Sequence, residues 1–79
     1  MADIKFDIQK SLGILSEGSK GWKKEINIMS WNGRQGKIDI RDWDVNHEKM
    51  GKGVTLSKEE LKSLRDILNS IDVDSLDIE

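Results

Sequence analysis

Ile38-Asp39-Ile40-Arg41-Asp42-Trp43, with His47-Glu48-Lys49-Met50-Gly51-Lys52-Gly53-Val54-Thr55-Leu56 close behind, decides how this chain folds. The first run alternates apolar and polar residues with the period of two that a half-buried strand requires. A polar excursion, a Gly-Lys-Gly step and a second alternating run follow. One parity of the first strand carries Lys37, Asp39, Arg41 and Trp43, cations and an aromatic on a surface with no need to be core. Cations interleaved with aromatics on a sheet suit single-stranded nucleic acid, gripping phosphates and stacking bases.

Upstream, residues 4–8 alternate, with Ile4, Phe6 and Ile8 apolar. The pattern continues across a bulge to Ile14-Leu15, with Leu12 and Ile14 keeping the parity and Gly13 interrupting it. Residues 16–21 form a loop by composition, and a second strand is expected from about Trp22 to Trp31. Asn32-Gly33 is a turn signal. A two-residue hairpin would place Ile26 and Ile28 on the same face as Lys37 and Asp39. A three- or five-residue loop instead puts Ile26, Ile28, Ile38 and Ile40 on one face. The hydrophobic pattern selects the longer loop, which gathers Met29, Trp31, Lys37, Arg41 and Trp43 on the other face.

After a connection over residues 44–50, a short strand is expected around Lys52–Leu56. Ser57-Lys58-Glu59-Glu60 then has capping-box spacing. Leu61, Leu64, Leu68 and Ile71, with Ile67 beside them, form an apolar stripe at helical spacing that would cover the apolar sheet face. Short connections favour a meander. The expected fold is α+β: a four-stranded antiparallel curved sheet followed by one C-terminal helix, β-β-β-β-α. Residues 1–72 read as a single nucleic-acid-binding domain and 73–79 as an acidic tail.

Seventy-nine residues make a small domain. Such a chain buries roughly 60–65% of its unfolded surface, so a staple or a second subunit is expected. With no Cys and one His, disulfides, thiolate sites and His-rich metal centres are excluded. One helix covers only part of a four-stranded sheet, so a symmetric dimer is the expected source of further stability. No signal peptide or membrane-spanning run is read, and the chain is expected in a reducing cytoplasm. The net charge of −2 hides a segregation: Lys20 to Lys52 holds eight cations against five acids, whereas Ser57 onward holds three against seven. The sheet is basic and the C-terminal segment acidic.

Each candidate has a plainer reading beside the functional one. Trp31 lies on the polar parity beside Lys37 and Arg41 and is read as a base-stacking residue. For Trp43, stacking and core stand level. Trp22 has core parity unless it projects from the strand end. Lys20, Lys23, Lys24, Arg34, Lys37, Arg41 and Lys52 are candidates through clustering, since a lone lysine on a strand is simply solvated. Arg41 leads because a guanidinium both forks onto phosphate and stacks on a base. Asp39 and Glu25 share that face and repel a phosphate chain unless they orient the cations. Residues 42–53 imitate a calcium loop but carry His47 where Gly is needed and Gly53 where Glu is needed. Gly51-Lys52-Gly53 is no phosphate-binding loop. His47 lacks a nucleophile partner and reads as a surface residue. No catalytic constellation, metal site or cofactor site is read, so the chain is expected to be no enzyme.

The run Lys37–Trp43, then Gly51–Ser57 and an amphipathic helix, resembles the transcriptional positive cofactor four family, and residues 18–31 look most like its short bacterial branch. The resemblance implies a homodimer with curved sheets that binds single-stranded DNA with little sequence preference, nucleoid-associated in the cytoplasm. It matches Arg41 to the family's strand arginine, Lys52 to the lysine before a glycine, and Trp31 to its base-stacking aromatic. Lys23 and Lys24 fall near its basic strand residues. The basic, Ser-rich extension of eukaryotic members is missing. Single-stranded RNA binding and a protein-docking role for the aromatic face are the alternative functions.

Overall fold

The computed structural model describes residues 5–78, so Ile4 of the expected first strand and the final residue of the tail lie outside the described residues. Four antiparallel strands, β1 (Phe6–Glu17), β2 (Lys23–Trp31), β3 (Lys37–Trp43) and β4 (Met50–Leu56), lie side by side in chain order. One helix, α1 (Lys58–Asn69), follows. The β-β-β-β-α order is the one that the alternation and the capping box imply.

The link between β2 and β3 is the long one: residues 32–36 form the turn, and Ile26 pairs with Ile40, Ile28 with Ile38 and Met29 with Lys37. Asn32 and Gly33 take left-handed backbone at φ 52° and 75°, which Asn tolerates and Gly adopts freely. The Asn32 side chain and backbone N–H both bond Lys5, which ties the start of β1 to the turn.

β1 departs from the expectation. It runs on through Ser16 and Glu17 instead of ending in a loop, and a 3-10 turn at Ser19–Gly21 makes the reversal. Its pairing with β2 shifts three times, between Ile8 and Lys10, Ser11 and Gly13, and Ile14 and Ser16. Ile14 therefore stays on the face of Phe6 and Ile8 through two bulges, not through unbroken alternation, and Leu12 falls inside a bulge. Bulges bend a strand and increase its twist. Here they roll the sheet. Phe6 pairs with Trp31 and Trp43 pairs with Lys23, eight residues apart along β2. A flat sheet would hold those partners about 26 Å apart, yet the Phe6 and Trp43 rings lie 5.3 Å apart.

The inside of the roll is consequently core. Met29, Asn27, Asp39 and Trp43 are fully buried and Glu25 nearly so. This corrects the expectation that the Lys37–Asp39–Arg41–Trp43 face has no need to be core: its middle is the best-buried part of the chain, and its Trp31 end opens to solvent. The outside carries Ile26, Ile28, Ile38 and Ile40, joined by Val54 and Leu56 through their pairing with β3.

Ser57 caps α1 as its spacing implies: its hydroxyl accepts from the Glu60 N–H at 3.2 Å, and the Glu60 carboxylate accepts from the Ser57 N–H at 2.9 Å. The helix leans mainly on β3 and β4, with Leu61 near Ile28 and Ile38. The rest of its stripe does not cover the sheet, leaving Ile67 59% and Leu68 48% exposed.

Candidate nucleic-acid interface

At the open end of the roll, Trp31, Arg34, Lys37 and Arg41 line one cleft of about 350 Å³ together with Gln35 and Thr55. Trp31 closes β2, Arg34 and Gln35 come from the five-residue turn, Lys37 and Arg41 from β3, and Thr55 from β4. The longer loop creates the site. By keeping odd residues opposite odd, it delivers the aromatic and two strand cations to the same face.

Arg41 is held, not free. The Asp39 carboxylate accepts from its Nε at 2.6 Å and from its Nη2 at 2.8 Å, a two-point fork. The Thr55 hydroxyl donates to the same carboxylate at 2.9 Å, and Arg41 Nη1 donates to Met50 Sδ at 3.3 Å. Asp39 is fully buried, so its charge depends on these partners. The fork fixes the guanidinium plane, and its carbon sits 5.0 Å from the Trp31 ring centroid. That is cation–π range. The acid that seemed a cost to phosphate binding thus orients the cation.

The charge consequence is specific. Arg41 is neutralised by Asp39 and lies over the Trp31 ring, whereas Arg34, Lys37 and Lys52 make no salt bridge among the described residues. These three are exposed, and Lys37 also lies within electrostatic reach of the Glu60 carboxylate. Lys52 is exposed and lies in the part of β4 where its pairing with β3 shifts, between Arg41 and Trp43. A Cβ at Gly53, opposite Arg41, would collide with the Arg41 Cβ and the Ile40 carbonyl. Glycine there lets β4 approach closely enough for Thr55 and Met50 to brace Arg41.

Other candidates fall elsewhere. Trp43 is fully buried under Phe6 and 5.6 Å from the His47 ring, with no face open to a base. Of the two readings that stood level for Trp43, core is the one its burial matches, because the roll of the sheet closes over it. Lys24 pairs with Asp42 on the outside of the roll, away from Trp31. Lys20 lies in the 3-10 turn and Trp22, half-buried, just before β2. Lys23 stands at the far end of the inner face, its Nζ 3.7 Å from the Glu17 carboxylate.

Phe6, Asp39 and Thr55 belong to the arrangement without having been counted as site residues. The Phe6 ring lies 6.2 Å from Trp31 and 5.3 Å from Trp43, linking the two tryptophans. Asp39 was legible, since residues two apart on a strand share a face. Phe6 was not, because its contacts depend on the bulges of β1.

Fold and cleft define a class: a small rolled antiparallel sheet with a C-terminal helix and a cation–aromatic cleft at the open end. Residues 18–67 match the family described as Transcriptional Coactivator p15 (PC4). The chain belongs to that family. The match begins after β1 and ends within α1. A protein of Treponema pallidum (strain Nichols), described as an uncharacterized protein, is 46% identical over 72 residues, covering 91% of this chain and 85% of that relative.

Proposed function

We propose that the chain is a non-enzymatic single-stranded-DNA-binding protein that works as a homodimer, with little sequence preference along its stacking platform. The observation that carries this reading is the Asp39-held Arg41 guanidinium layered on Trp31, with Arg34 and Lys37 in the same cleft. A half-buried indole backed by a fixed cation is a ready surface for a base, and the neighbouring exposed cations suit the phosphates on either side. Lys52, exposed on β4, is a further cation for the phosphate chain. Membership of a coactivator family supports a role in transcription regulation. Duplex DNA, whose bases are already stacked, offers this platform nothing but its backbone.

Dimerisation is supported by the surface. The chain exposes 6485 Å², against about 4,900 Å² for a compact monomer of its mass. The excess exceeds the roughly 800 Å² per partner of a standard interface. The exposed stripe of α1 and the isoleucine-rich outside of the roll are the surface we assign to the second copy.

Tryptophan fluorescence titrated with an oligothymidylate, at two salt concentrations and beside duplex DNA of equal length, tests the reading. Quenching by the single strand that weakens with salt and is largely absent with duplex is expected, because phosphate contacts release counterions. No response to the single strand would overturn it.

A further inference from the structure

Beyond α1 the chain turns acidic. Residues 70–79 hold four carboxylates, at Asp72, Asp74, Asp77 and Glu79, and no cation. Between the acids stand Val73, Leu76 and Ile78, all exposed. The segment makes a single 3-10 turn at Val73–Ser75. Asp72 holds that turn through its side chain, which accepts from the Asp74 N–H at 3.2 Å, and through its carbonyl, which accepts from the Ser75 hydroxyl at 2.9 Å. Among the described residues, the hydrogen bonds from Asp72 onward stay within the segment. Exposed apolar side chains on a segment bonded only to itself gain from any surface that takes them out of water.

The cleft at the open end of the roll is such a surface, with the complementary charge. Arg34 and Lys37 bring exposed cations to it and Trp31 brings an aromatic wall. It also lies within the segment's reach. Lys37 lines both the cleft and the groove where Lys58 and Leu61 of α1 lean on the sheet, so the helix begins beside the cleft. The 12 residues of α1 carry the chain about 18 Å away. The eight residues from Ser70 to Asp77, extended, span about 26 Å. That length returns the acids to the cleft with several ångströms to spare.

We infer that the cleft has a second ligand inside the molecule: the acidic segment beyond α1, which competes with the single strand for Trp31, Arg34 and Lys37. The inference rests on the single-strand reading above. Asp72, Asp74 and Asp77 meet the cations as phosphates would, and the apolar side chains between them cover the indole as a base would. The segment does not line the cleft in this structure, and the contact is a reversible one. Exposed ion pairs are individually weak and are screened by salt. A segment that holds the cleft about four-fifths of the time lowers the apparent affinity for a strand about fivefold. Such a device leaves binding to long strands intact, since they make many contacts, and discourages binding to short or isolated ones.

Anisotropy of a labelled oligothymidylate at low salt is the test. It compares the unmodified chain with the triple variant Asp72→Asn, Asp74→Asn, Asp77→Asn and with a chain shortened to end at Ile71. A charge-matched control, Glu48→Gln, Glu59→Gln, Asp66→Asn, removes three acids that are exposed elsewhere. Both tail variants are expected to bind about fivefold tighter, a difference that shrinks toward one as salt is added, while the control gains about twofold at most. A nitroxide on Ser75→Cys gives a direct reading, since the chain has no other cysteine. It is expected to broaden the Trp31 indole resonance, which recovers when oligothymidylate is added. Unchanged affinity in the tail variants, or an equal gain in the control, would overturn the inference and leave the single-strand reading standing. Absence of the broadening, or broadening that the strand does not relieve, would overturn it too. If no variant binds a strand, the shortened chain included, the single-strand reading itself fails and the inference with it.

Discussion

Asp39 and Arg41 are two residues apart on β3, so the strand's period of two makes them neighbours before any tertiary contact forms. Burial of Asp39 turns that proximity into a fixed fork, and the fork sets the guanidinium over Trp31. Replacing Asp39 with Asn leaves Arg41, itself only 13% exposed, without its counter-charge. Urea unfolding of Asp39→Asn is expected to show a loss of about 3 kcal/mol, the low end for breaking a buried pair. Trp31→Ala is expected to weaken oligothymidylate binding about tenfold or more, since a stacked base contributes about 1–3 kcal/mol, while Trp31→Phe keeps most of the affinity. Anisotropy of a labelled strand measures both. Lys37→Ala is expected to act differently, lowering the slope of log affinity against log salt by about 0.7 for each phosphate contact removed.

At the scale of the element, α1 illustrates how little of a helix's behaviour here comes from packing. Its start is specified by the reciprocal Ser57–Glu60 bonds, and Ser57→Ala is expected to cost about 1 kcal/mol in thermal or urea unfolding. Hydrogen bonding from the Ser57 N–H holds the Glu60 carboxyl below its ordinary value of 4.5. A lowered folded value means the stabilisation is fully present above 4.5 and is lost as pH falls below it through the folded value. Helix content followed by circular dichroism is therefore expected to decline on acidification through that window, and the Glu60→Gln variant to lack this part of the decline.

For the molecule as a whole, the radius of gyration is 14.3 Å, against about 12 Å for a compact domain of this length. The extents of 46 × 32 × 21 Å describe an elongated body. The apolar stripe of α1 stays largely exposed, with Ile67 59% and Leu68 48% open to solvent. A second copy on that stripe would restore the missing burial. Sedimentation is expected to give twice the chain mass of 9.0 kDa. Ile67→Glu combined with Leu68→Glu is expected to yield monomer with a lower melting temperature. A monomeric unmodified protein at micromolar concentration would defeat the dimer.

The order of the elements, the long β2–β3 loop and the helix cap were legible in the sequence, because each depends on residues near one another along the chain. Alternation of Ile26, Ile28, Ile38 and Ile40 alone chose between the short and the long loop, and that choice assembled Trp31, Lys37 and Arg41 on one face. The roll of the sheet was not legible. It arises from three successive bulges in β1, whose cumulative bend depends on pairing with β2 and leaves only a broken period in the sequence. That bend decided which aromatics are core and which are surface: it buried Trp43 beneath Phe6 and left Trp31 at the opening. The sequence by itself determined which residues share a face. The tertiary structure decided whether that face meets water, because burial depends on curvature summed over the whole sheet.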